Sequence, residues 1–153
     1  MNLLVCEMDN RTQSNVLPAY VEIIKQLSVE DAKYLKAIGD CKKDEMSLCY
    51  VRLKYDNIEG YTPVAILVVD NLKNQALHTI EVPQIVFDNL ERLNIVTVNS
   101  LCIIPKNEKE VENAFNIYNS HLKIDDPHAS SYYKHGVLNI TEFGRQFIEI
   151  CCS

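Results

Sequence analysis

The hydrophobic period of this chain changes along its length, and that change limits the folds open to it more than any motif does. From Cys49 to Tyr55 the residues Cys49, Val51, Leu53 and Tyr55 alternate with Tyr50, Arg52 and Lys54, the two-residue period of a strand with one buried face. Asp56-Asn-Ile-Glu-Gly60 supplies turn chemistry, and Thr62–Val69 is apolar on both faces, as a central strand would be. The spacing therefore predicts a β-hairpin over these residues. Helical periods stand on either side, so an all-helical bundle is excluded and the expected class is α+β with a small, mostly antiparallel sheet.

Upstream, Leu17, Val21, Ile24 and Leu27 recur at helical spacing over residues 17–27, with Pro18 early enough that its missing N–H costs nothing. Ser28-Val-Glu-Asp31 reads as a capping box for a second helix over 29–38, with Ala32, Leu35 and Ile38 inward and Gly39 at its left-handed stop. Downstream, Asp70 could cap a short helix through Leu77, and Pro83 opens a helix with Val86, Leu90 and Leu93 on one face, ended by Asn94. A strand over 95–98 follows. Asn107-Glu-Lys-Glu110 repeats the capping-box pattern before a helix with Val111, Phe115, Tyr118 and Leu122 inward, ending near Lys123. Residues 125–135 hold a proline, polar side chains and no period, and read as an exposed loop. Gly136–Ile140 returns as a strand, and Thr141 caps a last helix with Phe143, Phe147, Ile148 and Cys151 inward. Helix 83–93 with the strands at 95–98 and 136–140 suggests a winged-helix-like C-terminal half. No linker or repeat divides the chain, so residues 1–153 are expected to form a single domain.

With 153 residues, 47% of them hydrophobic, the chain can bury a core without a metal or disulfide framework. The six cysteines, at 6, 41, 49, 102, 151 and 152, contain no C-x-x-C pair and no zinc-finger histidine spacing, and are expected to be free thiols. No metal or cofactor is expected. The apolar stretch Leu3–Val5 is too short for a signal peptide, and the aliphatic run Val64–Val69 is about a third of a membrane span. The expected compartment is a reducing cytoplasm, with no membrane partner. Fifteen basic against 21 acidic residues give a net charge of −6, and no stretch of the chain is locally basic, which argues against a nucleic-acid partner.

Three stretches in combination resemble the bacterial abortive infection alpha family. They are Leu17-Pro-Ala-Tyr-Val-Glu-Ile-Ile-Lys-Gln-Leu-Ser-Val-Glu-Asp-Ala32, Asp88-Asn-Leu-Glu-Arg-Leu-Asn-Ile-Val96 and Leu138-Asn-Ile-Thr-Glu-Phe-Gly-Arg-Gln-Phe-Ile148. The opening Asn2-Leu-Leu-Val-Cys-Glu-Met-Asp9 is similar to the family's lead-in. The resemblance implies a cytosolic, phage-defence protein of bacteria, and a chain that is the C-terminal portion of a longer one. Two departures stand out: Leu17 where the family often has His, and Asn94 where it often has Gly, the latter keeping the same backbone conformation by another residue. No catalytic residue is carried over.

Three functional readings follow. The first is a non-enzymatic protein-interaction or regulatory module that meets a protein partner through Tyr132, Tyr133 and His135 of the expected loop, with self-association left open. The second is a winged-helix-like nucleic-acid binder using Arg92, Lys106 and Lys134; the polar positions of helix 83–93 (Gln84, Asp88, Asn89, Glu91, Arg92) count against it with two acids to one base. The third is a hydrolase or nuclease effector built on His121, Asp125, Asp126, His128 and His135, whose spacing equally suits a solvated loop. Arg92 is expected to pair with Asp88, and Arg145 with Glu142 or Glu149. Cys49, on the inward strand face, is expected to be a core thiol. The first reading is the expectation taken forward.

Overall fold

The computed structural model describes residues 18–70 and 77–152. The short helix expected between Asp70 and Leu77 and the N-terminal stretch through Leu17 lie outside the described residues. Among those described, the class is α+β as expected, with helices, a five-stranded antiparallel sheet and two compact units.

Unit 1 comprises residues up to 44, 84–97 and 139 onward. Pro18 opens α1 (Pro18–Gln26), and a two-residue corner leads to α2 (Val29–Asp40). The capping box is formed: the Asp31 N–H donates to Ser28 Oγ and the Ser28 N–H to Asp31 Oδ2, both at 3.0 Å. α2 runs through Gly39 rather than stopping there, and the left-handed residue is Lys42 at φ 54°. Gly39 serves packing instead. A β-carbon there would lie 2.8 Å from Ile148 Cγ2 of α5 (Glu142–Cys151), so the missing side chain lets the two helices approach. With α3 (Gln84–Arg92), these helices enclose Tyr20, Leu35, Ile38, Phe87, Leu90 and Phe147, all essentially buried. Tyr20 meets Phe143 and Phe147 edge-on at 5.5 and 5.4 Å.

Asn94 ends α3 in the left-handed conformation (φ 60°) its sequence position suggests. The Thr141 hydroxyl accepts the Gly144 N–H at 2.8 Å and donates to the Asn94 carbonyl at 2.6 Å. A β-carbon on Gly144 would lie 2.0 Å from the Ile95 carbonyl oxygen, so only glycine permits this contact. Cap and close approach together fasten the start of α5 to the end of α3.

Unit 2 comprises residues 45–83 and 98–138. Its hairpin joins β1 (Glu45–Tyr55) to β2 (Ile58–Asp70) through Asp56 and Asn57, with Asn57 at a positive φ (65°) that asparagine tolerates. β3 (His78–Glu81), β4 (Val96–Asn99) and β5 (Ala129–Ile140) complete a sheet of order β3-β2-β1-β5-β4. The chain passes from one unit to the other within β4 and β5. One sheet face carries Cys49, Val51, Leu67 and Val69, which cluster with Val111 and Ala114 of α4 (Glu108–His121). That burial is the hydrophobic contribution the period-two pattern announces.

Three expectations are corrected, and one strand is unanticipated. Residues 129–135 are not loop but the first half of β5; the half-buried face (Ala129, Ser131, Tyr133, His135) and the outer face (Ser130, Tyr132, Lys134) both mix polar and aromatic residues and leave no polar–apolar contrast to read. Only the Asp126 turn remains irregular, its carboxylate accepting the His128 N–H at 2.8 Å. No second capping box forms: Asn107 ends a 3-10 turn (Pro105–Asn107) and donates instead to Ser47 Oγ at 3.2 Å. β3 has too little apolar character to stand out from its sequence. No winged-helix arrangement is seen, since the strands proposed as its wing, β4 and β5, extend the same sheet as the hairpin.

Candidate functional site

The first turns of α2 and the length of α3 face each other across a groove of about 460 Å³ in unit 1. Its walls are Ser28, Glu30 and Asp31 on one side and Ile85, Asp88, Asn89 and Arg92 on the other. The capping box fixes Asp31, which is 6% exposed, and its Oδ2 also accepts from Asn89 Nδ2 at 2.6 Å. Asn89 Oδ1 in turn accepts from Arg92 Nε at 3.1 Å and Nη2 at 2.6 Å, while Arg92 Nη1 donates to Gln26 Oε1 at 2.8 Å. The network therefore runs from the corner between α1 and α2 through to the end of α3. Each member's hydrogen bond restrains the next, which is how a connected polar network stiffens a wall. The expected Arg92–Asp88 pair is absent from it; Asp88 accepts from Gln84 at 2.7 Å instead.

Against this polar wall stands an apolar side chain in water. Ile85 is 73% exposed, and Val29, in the first turn of α2, is 88% exposed. Three carboxylates, Glu30, Asp31 and Asp88, line the groove against the single cation Arg92, and leave it acidic on balance. Sequence reasoning missed Ile85 and Val29. The available signal was that each is an aliphatic residue off the inward stripe of its helix.

A second groove of unit 1, about 400 Å³, is lined by Lys36, Asp40, Asp44 and Arg145 among others. Among its four cations, Lys36 pairs with Asp40 at 2.9 Å, and Arg145 with Asp44 at 2.7 Å and with Glu142. The expected Arg145–Glu142 pair is thus formed. In unit 2 an apolar hollow of about 450 Å³ lies along α4, bounded by Leu67, Leu77, Ala114, Ile117 and Tyr118.

The residues singled out from sequence are placed as follows. Tyr132, Tyr133 and His135 are in β5, not on a loop, and successive strand residues point to opposite faces. Tyr133 rests on Phe115 of α4 (4.7 Å between centroids) and against His135 (5.4 Å), whereas Tyr132 lies under Lys54 on the other face. The three do not make one surface. Arg92 belongs to unit 1, while Lys106 and Lys134 belong to unit 2 and are exposed. His121 ends α4, Asp125, Asp126 and His128 are exposed in the turn, and His128 reaches Asp56 at 3.9 Å; no three of the five His and Asp residues bring ligand atoms together. Cys49 is fully buried, and burial pushes its thiol up to about 12. Burial, with Glu112 beside it, also raises the Tyr133 phenol. No described helix is long and apolar enough to cross a membrane.

The family model described as abortive infection alpha matches residues 1–151, so the chain belongs to that family. No curated protein matches the sequence. A solved structure of an uncharacterized protein from the hydrocarbon-degrading marine bacterium Alcanivorax borkumensis SK2 aligns at 15% identity and a TM-score of 0.40, over 88% of this chain and 93% of that one.

Proposed function

We propose that this member of the abortive infection alpha family is a non-enzymatic protein-interaction module in phage defence, and that it meets its partner through the Ile85 groove of unit 1. Family membership supports the context. The observation that carries the contact is Ile85, 73% exposed beside a wall whose polar groups already bond to one another. An apolar anchor next to a rigid, hydrogen-bonded rim is the anatomy of an interface centre. The exposed Glu30 and Asp88 select a partner segment that brings an apolar side chain flanked by lysine or arginine. Three N–H groups of the Arg92 guanidinium are already bonded to Asn89 and Gln26, and the carboxylates of Glu30, Asp31 and Asp88 in the same groove disfavour a phosphate there. The separation of His121, Asp125, Asp126, His128 and His135 favours a non-enzymatic role over a hydrolytic one.

Affinity capture from phage-challenged and unchallenged host cells tests this, with wild-type and Ile85→Arg baits and a nuclease-treated arm for each. A protein recovered by the wild type, resistant to nuclease and lost from the Ile85→Arg bait, is the expected result. Recovery that is indifferent to Ile85→Arg, or that disappears on nuclease treatment, would contradict the proposal.

A further inference from the structure

The sheet of unit 2 has a second face, turned away from the apolar cluster on α4; Met46, Leu48, Ile66 and Val68 are buried on it, and toward the hairpin turn it becomes aromatic and basic. Tyr50, Arg52 and Lys54 occupy alternate positions of β1 on that face, since Cys49 and Val51 point into the cluster. Arg52 Cζ lies 4.0 Å from the centroid of the Tyr61 ring and 5.4 Å from that of Tyr50. Lys54 Nζ lies 5.8 Å from the Tyr132 ring, which puts Tyr132 on the same face, and with it Lys134 two residues on. Gly136 extends the row: a β-carbon there would fall 2.4 Å from Tyr50 Cε2, so the glycine leaves room for that ring to lie on the strand.

Tyr61 is 50% exposed, Lys54 and Lys134 are exposed, and Arg52 and Tyr132 are half-buried. The face thus offers two accessible rings and three cations. The β5 positions on it, Ser130, Tyr132, Lys134 and Gly136, include no carboxylate, nor do the β1 positions 50, 52 and 54. Asp56 and Glu59 stand at the hairpin end, where Asp56 faces His128 at 3.9 Å. The net charge of −6 is an average that conceals this local excess of positive charge.

We propose that this face binds single-stranded nucleic acid, with bases stacking on Tyr61 and Tyr132 and the backbone phosphates following Arg52, Lys54 and Lys134. The pattern of rings alternating with cations on an open sheet matches bases alternating with phosphates along an unpaired strand. A duplex hides its base faces, and an acidic peptide would use the cations but leave the rings idle. The site lies in unit 2 and goes beyond the groove of unit 1, so the two proposals fail independently.

The test is fluorescence anisotropy of the full chain with a labelled 20-nucleotide oligothymidylate and an equal oligouridylate. These two arms read the sugar, while a duplex of the same length and unlabelled polyglutamate serve as competitors. Three phosphate contacts predict that affinity falls roughly 20-fold between 50 and 200 mM salt, and Lys54→Ala with Lys134→Ala reduces that fall to roughly threefold. Tyr61→Ala is expected to weaken binding about tenfold and Tyr61→Phe to restore it, since the ring carries the stacking. Lys106→Ala and Ile85→Arg, off this face, leave binding unchanged. The absence of binding to both oligonucleotides at 50 mM salt would overturn the proposal. So would indifference to Tyr61→Ala with circular dichroism unchanged, or competition by duplex or polyglutamate as effective as by single strand.

Discussion

The two units hold themselves together by different means. In unit 1 the segments that meet are far apart in the chain, and side-chain and capping hydrogen bonds tie them: Asp31 to Asn89, Gln26 to Arg92, Thr141 to Asn94. In unit 2 the backbone ladder of the hairpin sets the register, with Cys49 opposite Leu67 and Val51 opposite Ala65, and α4 covers one face with Val111 and Ala114. A ladder tolerates exchange of one apolar side chain for another, because the main chain supplies its bonds. A side-chain network does not. The three stretches that carry the family resemblance fall almost wholly within unit 1, at Gln26, Ser28, Asp31, Asn89, Arg92, Thr141 and Gly144. Residue identity matters most where side chains, rather than backbone, make the connections.

The largest expected effect is at the clamp between α3 and α5. Gly144→Ala places a β-carbon against the Ile95 carbonyl and should destabilise by about 3 kcal/mol or more, as denaturant unfolding would show. Hydrogen exchange on this variant should lose protection first in α5 and α3, and an equal loss across the hairpin would erase the distinction between the units. Leu90→Ala, in the core of unit 1, should cost about 2–5 kcal/mol by the same measurement, whereas the exposed neighbour Asp88→Ala should stay within about 0.5 kcal/mol.

Unit 2 has its own probe in Cys49. Its thiol, pushed up to about 12 by burial, is neutral in the fold, while in the unfolded chain it ionises near 8.5. The stability this difference contributes is present below about pH 8.5 and is lost as pH rises toward 12. Unfolding free energies measured between pH 8 and 11 should therefore decline, and Cys49→Ala should make the decline shallower. The raised phenols of Tyr20, Tyr118 and Tyr133 add slope of the same sign and survive that substitution. A thiol reagent should label the exposed Cys102 and spare Cys49 in the native protein.

Much of this architecture was legible in the sequence, for local reasons. The capping box at Ser28, the left-handed Asn94, the Thr141 cap and the hairpin all follow from residue types acting within a few positions of themselves. Tertiary context overrode local signals elsewhere. Gly39 looked like a helix stop and instead makes room for Ile148; Asn107 looked like a cap and instead reaches Ser47. β5 was hidden because both of its faces mix polar and aromatic residues and show no alternation of polarity. The candidate groove was hidden for a related reason: Arg92 has an acid at i−4, yet its partners are Asn89 and a glutamine 66 positions away. The aromatic–basic face of unit 2 was half visible in Tyr50, Arg52 and Lys54, but only pairing with Tyr61 and Tyr132 reveals it as a surface.

The claim on which unit 1 and its groove depend is that Asp31 and Asn89 act as one unit across the two helices. A double-mutant cycle of Asp31→Ala, Asn89→Ala and the pair, read by denaturant unfolding, measures it directly. The account predicts a coupling of about 1 kcal/mol or more, because each single substitution leaves the other polar group without its partner. Additivity within about 0.3 kcal/mol would mean that the two helices pack without the network, and that the wall of the groove is not built as described.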